Sequence, residues 1–131
     1  MIVADTDVLI DALHGREPVA GKIAAELRAG RLATTAISVF ELKSGVRTPE
    51  EGERIDRLLG ALTVLPLDQR AGAAAAAARR ALEAEGRGIG LADYLIAGVC
   101  LDREAVLLSR NQDHFERVPG LVLGSFDARP A

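Results

Sequence analysis

Short apolar runs alternate with segments of helical period along the whole chain, and this alternation constrains the fold more than any other feature. Met1–Ala4, Leu32–Thr35, Thr63–Leu67 and Val106–Leu108 have the length and composition of buried strands. Between them the apolar residues recur at helical spacing. Val8, Leu9 and Ala12 do so in Thr6–Leu13, and Val19, Ile23, Ala24 and Leu27 do so after Pro18, which suits a first helical turn. Val39, Phe40, Leu42 and Val46 mark a helix that Ser38 is placed to cap, and Ile55, Leu58 and Leu59 mark another within Glu50–Gly60. Asp68 is placed to cap an alanine-rich helix through Ala84, and Leu91–Leu101 is a further helix. Leu121–Leu123 is a candidate fifth strand. The pattern predicts the α/β class: a three-layer α/β/α sandwich with a mostly parallel central sheet of four or five strands.

No repeat or linker divides the sequence, so residues 1–131 read as a single domain. Gly86, Gly88 and Gly90 form a turn that serves as a helix C-cap and hinge or lets a substrate backbone come close. No basic, signal-type run precedes the first strand, and no stretch reaches the roughly 20 apolar residues of a membrane span. A soluble, cytoplasmic chain is the expectation. Cys100 is the one cysteine, set among Ile96, Ala97, Val99 and Leu101, and reads as a small core residue. His14 and His114 share no zinc-type spacing with it, so any metal here is a hard ion held by oxygen. The net charge of −3 argues against a surface coated in cations, although the cations are nearly all arginine, a residue suited to phosphate.

The acids carry the chemistry. Asp5 ends an apolar strand and opens a helix, a position that an N-cap alone would explain. Glu41 sits inside Ile37-Ser-Val-Phe-Glu-Leu, where a charge is either on the polar side of the helix or buried with a partner. Asp93 lies in the first turn of a markedly apolar helix. It either complements the helix dipole or, sharing its face with Ile96, Ala97 and Cys100, points toward the core. Asn111 and Asp113 leave the fourth strand where ordinary turn chemistry also favours such residues. In parallel sheets, ligands bind beyond the carboxyl ends of the strands, where Asp5, Asn111 and Asp113 fall. Acids gathered there would repel one another unless a divalent cation neutralised them, and oxygen ligands favour Mg2+ or Mn2+. Such an ion binds phosphate oxygens and acidifies water, so phosphodiester hydrolysis is the natural chemistry.

Four segments resemble the motifs of the PIN domains, in order and in approximate spacing. They are Ile2-Val-Ala-Asp5-Thr6-Asp7-Val-Leu-Ile-Asp11, Thr35-Ala-Ile-Ser38-Val-Phe-Glu41-Leu42-Lys-Ser-Gly45, Leu91-Ala-Asp93-Tyr-Leu-Ile-Ala97 and Leu108-Ser109-Arg110-Asn111-Gln-Asp113-His-Phe115. The resemblance, closest to VapC-type toxins, spans nearly the whole chain. It implies a Mg2+- or Mn2+-dependent endoribonuclease acting on RNA, with Asp5, Glu41 and Asp93 as metal ligands. It implies a homodimer, or a higher toxin–antitoxin assembly, inhibited by a cognate antitoxin. Thr6 matches the hydroxyl residue that orients the site, and Ser38 and Arg110 are the further substrate-contacting or site-orienting candidates. Asn111 stands where many relatives carry Asp; it lowers the charge of the site, Asp113 is placed to compensate, and one ion or two stays open. Catalysis is assigned to Asp5, Glu41, Asp93, Asn111 and Asp113.

Two other readings compete. Asp5-Thr6-Asp7 resembles the Asp-x-Asp of haloacid-dehalogenase phosphatases, but Val8-Leu9 continues apolar where those motifs turn. A PIN-like module without catalysis, binding RNA or a protein partner, is the second.

Overall fold

The computed structural model describes residues 1–126. Five strands form one all-parallel sheet in the order β3-β2-β1-β4-β5. They are β1 (Ile2–Ala4), β2 (Leu32–Thr35), β3 (Thr63–Leu65), β4 (Val106–Leu108) and β5 (Val122–Leu123). The helices are α1 (Thr6–Leu13), α2 (Val19–Arg28), α3 (Ala36–Ser44), α4 (Pro49–Gly60), α5 (Gln69–Ala84), α6 (Leu91–Arg103) and α7 (Gln112–Phe115). The predicted sandwich and its strand positions are therefore present, with local differences; α3 ends at Ser44, short of the expected Val46, because Gly45 caps it. The third strand ends at Leu65 because Pro66 has no N–H to continue the ladder. Ser38 does not cap α3; Thr35 does, its Oγ1 accepting from Ser38 N at 3.2 Å, which puts Ser38 inside the first turn. The turn after β4 closes into the short helix α7.

Alternation along the strands sorts the core into two layers. Val3, Ala33 and Leu107 face α5 and α6, whereas Ala4, Leu32 and Leu108 face α1 and α2. α3 packs into both layers, through Ile37 on one side and Leu42 on the other. The direction in which successive strands are added reverses about β1. From it the order runs to β2 and β3 on one side and to β4 and β5 on the other, so the crevice between the carboxyl ends of β1 and β4 is the switch point where ligands bind in such folds.

The alanines of α5 have a packing role beyond helix propensity. Ala71, Ala75 and Ala78 are buried, and α6 presents Gly98 against them. A Cβ at Gly98 would stand 2.5 Å from Ala71 O and 2.6 Å from Ala75 Cβ, so the two helices touch backbone to backbone. Gly98→Ala should therefore destabilise the fold by about 1–3 kcal/mol despite alanine's better helix propensity. Urea unfolding with an unchanged m-value is the check; equal or greater stability would mean that the helices separate freely.

Candidate active site

Asp5 follows β1 directly and caps α1, its Oδ1 accepting from Thr6 N at 2.7 Å. It is at once the cap and the centre of the site. Its other oxygen, Oδ2, accepts from the Ser109 hydroxyl at 2.7 Å, and Ser109 itself is fully buried at the end of β4. Strand pairing brings these residues together: Ala4 lies opposite Leu108, and Asp5 N donates to Leu108 O at 2.9 Å. Asp5 is only 6% exposed. Burial, the neighbouring Asp7 charge and the more distant Asp93 push its carboxyl up from 3.8 to about 6, against the opposing pull of the Ser109 and Thr6 hydrogen bonds.

Thr6 ties α3 to this point. Its Oγ1 lies 2.7 Å from Glu41 Oε1 and 2.8 Å from Ser38 Oγ. An ionised carboxylate only accepts, so the one Thr6 proton goes to Glu41 and the buried Ser38 hydroxyl donates to Thr6 Oγ1. Glu41 is thus half-buried and held by a neutral partner. On the other side, Asp93 in the first turn of α6 meets the residues that follow β4. Asn111 Nδ2 donates to Asp93 Oδ2 at 3.3 Å. His114 Nδ1 stands 3.2 Å from the same oxygen and 2.9 Å from Asn111 Nδ2. With a proton, Nδ1 donates to Asp93; without one, it accepts from the Asn111 amide. Only the form with a bare Nδ1 bonds Asn111; in the other, both residues donate to Asp93 Oδ2.

Residues 109–111 thereby reach three sets of acids in succession. Ser109 binds Asp5, Arg110 binds Asp11 through its side chain and Asp7 through its backbone N–H, and Asn111 binds Asp93. Of the sequence candidates, Asp5, Thr6, Ser38 and Glu41 form one connected group, Asp93 and Asn111 a second, and Arg110 flanks both. Asp113 is the exception. It is exposed on α7 and makes no hydrogen bond or ion pair among the described residues, so it does not compensate for Asn111 by contact. Ser109 and His114 are the residues that sequence reasoning missed. Ser109 reads as the last residue of an apolar strand, and His114 carries a usable signal only once Gln112–Phe115 is helical, which places it one turn from Asn111.

The donors suit a hard cation. The side chains hydrogen-bonded to Asp5, Glu41 and Thr6 present oxygen, no ion pair with a cationic side chain is made by Asp5 or Glu41 among the described residues, and the charge on Asp5 is opposed by its burial and its acidic neighbours. No three His, Cys, Asp or Glu side chains among the described residues stand close enough to enclose an ion by themselves. One or two carboxylates with water and substrate phosphate completing the shell is the usual arrangement for Mg2+.

The model of the family described as "PIN domain" matches residues 2–121. The chain belongs to the PIN-domain family. Among curated PIN relatives, it is 34% identical over 115 residues to "Ribonuclease VapC10" of Mycobacterium tuberculosis, covering 88% of this chain and 86% of that protein. It is 27% identical over 121 residues to the "tRNA(fMet)-specific endonuclease VapC" of Shigella flexneri, covering 89% of this chain and 91% of the relative. Among solved structures, VapBC2 from Rickettsia felis, bound to a promoter DNA fragment, superposes with a TM-score of 0.86 at 22% identity. That match covers 97% of this chain and all of the other, and it establishes the shared PIN fold.

The raised carboxyl of Asp5 has a consequence for stability. The folded chain holds this proton more tightly than the unfolded chain. The stability it contributes is full below about pH 4 and is lost as pH rises through about 6. In chelator, Asp5→Asn should accordingly melt several degrees above the unmodified protein at pH 8, by at most about 3 kcal/mol, with the gap closing toward pH 4. Thermal melts across that range decide it, and a variant that melts lower at pH 8 would show Asp5 stabilised as a charge.

Proposed function

We propose that this chain is a divalent-metal-dependent endoribonuclease, acting in the cytoplasm as the toxin of a toxin–antitoxin pair. The observation that supports this reading most is Asp5 at the carboxyl end of β1, with Glu41 tied to it through Thr6 and Asp93 near enough to oppose its charge, in a chain whose curated relatives are named ribonucleases. Asp5 and Asp93 would hold Mg2+ or Mn2+, with Glu41 as the third carboxylate on the same crevice. When bound, such an ion neutralises charge on the phosphate and acidifies water.

The chain's own residues do the rest. Ser109 and the Thr6 N–H occupy one oxygen each of Asp5, fixing its plane and favouring its charged form. Thr6 holds Glu41 by Oε1 and leaves Oε2 for a water or a ligand. Asn111 and His114 restrain Asp93 from the side of β4, and the neutral amide lowers the charge of the centre relative to a fourth carboxylate. Asp113, exposed and apart, has no part in this scheme.

Several of the solved PIN neighbours are toxin–antitoxin complexes, which supports a protein inhibitor for this chain as well. A groove of about 330 Å³ reaches Glu41 over an apolar floor of Ile10, Leu13, Leu42 and Ile55. An antitoxin segment lying there would cover Glu41. Phe40, 70% exposed beside Glu41, and the exposed Leu91 are apolar surface for a second copy, in keeping with a homodimer. No helix among the described residues is long and apolar enough to cross a membrane.

The deciding experiment incubates antitoxin-free protein with total cellular RNA and Mg2+ or Mn2+. Discrete cuts are expected that vanish with chelator and fall about 100-fold or more in Asp5→Asn and Asp93→Asn. Thr6→Val, which frees Glu41, should lose about tenfold. Metal bound at these acids with no RNA cut under any condition would favour a binding module, and equal cutting by all variants would remove the acids from the chemistry.

A further inference from the structure

A second carboxylate buried near the crevice lies outside the acid centre. Asp11 follows Asp7 by four residues, so both lie on one face of α1. Its side chain is 4% exposed and takes two arginines: Arg16 Nη1 at 3.1 Å on Oδ1 and Arg110 Nε at 3.0 Å on Oδ2. Glu26 and Asp102 also gather two cations each, with Lys22 and Arg31 and with Arg70 and Arg103. Those clusters sit where α2 and α6 run into the amino ends of β2 and β4, at the opposite end of the sheet. Asp11 differs by position, because Arg110 lies between Ser109, on Asp5, and Asn111, on Asp93.

Two guanidiniums against one carboxylate leave this trio net positive at the edge of an otherwise acidic crevice. Asp11 occupies one nitrogen of each arginine, and the side chains remain 58% and 53% exposed. The Nη groups of Arg110 have no partner among the described residues. Beside it a shallow cleft of about 380 Å³ runs from Ser109 past Gln112 to Phe126.

We propose that Asp11 is a positioning residue that fixes Arg110 and Arg16 as a two-guanidinium contact for RNA backbone phosphates next to the acid centre. The inference rests on the ribonuclease reading above. A polyanion approaching Asp5, Asp7 and Asp93 meets like charge, and a cationic flank offsets it. Guanidinium matches phosphate in a planar fork, and anchoring both heads beforehand reduces the ordering lost on binding.

The test measures binding of end-labelled total tRNA, and in parallel of a mixed-sequence single-stranded RNA, in chelator over a series of KCl concentrations. Arg110→Gln and Arg16→Gln should each weaken binding about three- to tenfold and flatten the dependence of log K on log salt by about 0.7. Asp11→Asn separates positioning from charge. Removing a negative charge near the RNA would tighten binding if only net charge mattered, whereas loss of positioning weakens it. Arg110→Lys keeps the charge and loses the fork, and it serves if Asp11→Asn does not fold; it too should weaken binding. In cleavage with Mg2+ these variants should raise KM with kcat within about twofold.

Unchanged or tighter binding by folded Asp11→Asn, or wild-type binding and salt slope in Arg110→Lys and Arg110→Gln, overturns the proposal while leaving cleavage by the unmodified protein intact. If the unmodified protein neither binds nor cuts RNA, the ribonuclease reading fails, and the inference fails with it.

Discussion

The burial of one carboxylate beside others governs the centre of this molecule. Asp5 is almost sealed from water, with Asp7 and Asp93 near enough to oppose its charge. A chain that only needed a helix cap could have placed serine there and avoided the penalty. The surrounding residues limit the repulsion without abolishing it. Hydroxyls and an amide restrain each acid, and the arginines stand at the margin, on Asp11, rather than in the middle. Asp5 and Glu41 are thereby left without a side-chain counterion, the setting in which the proposed metal ion would bind.

The sheet makes that concentration tolerable by bringing the acids from separate elements. Asp5 comes from the end of β1, Glu41 from α3, Asp93 from the start of α6, and the loop after β4 supplies their restraints. Each element is anchored in one of the two core layers, and α3 is anchored in both. The hydrophobic layers thus hold in place charges that would otherwise move apart.

Most of the fold was legible in the sequence because local periodicity and core layers coincide. Val3 and Ala4 alternate across the sheet, and Ile23 and Leu27 keep helical spacing. The site was legible in part. Asp5, Glu41, Asp93 and Asn111 stand out because polar groups interrupt apolar runs. Ser109 did not, since its role depends on pairing β4 with β1, and His114 did not, since its role depends on the single turn α7. Asp113 is the converse case. It is an acid two residues from Asn111, but α7 leaves its side chain in solvent, which periodicity alone does not show. Ser38 meets Thr6, but as a helix cap it was displaced by Thr35, whose own hydroxyl meets the Ser38 N–H.

The segment from Ser109 to Asn111 has a further implication for how this protein tolerates change in length. Three adjacent residues each serve a different acid, so no slack exists between the end of β4 and α7. Inserting or deleting one residue there would shift all three partners at once, as a register slip does in a strand. The connection through Gly86, Gly88 and Gly90 makes no hydrogen bond to the side chains of these acids among the described residues; its bonds run to α5, to Arg117 and to Tyr94. Across relatives of this chain, length variation should therefore collect before α6 and be nearly absent after β4.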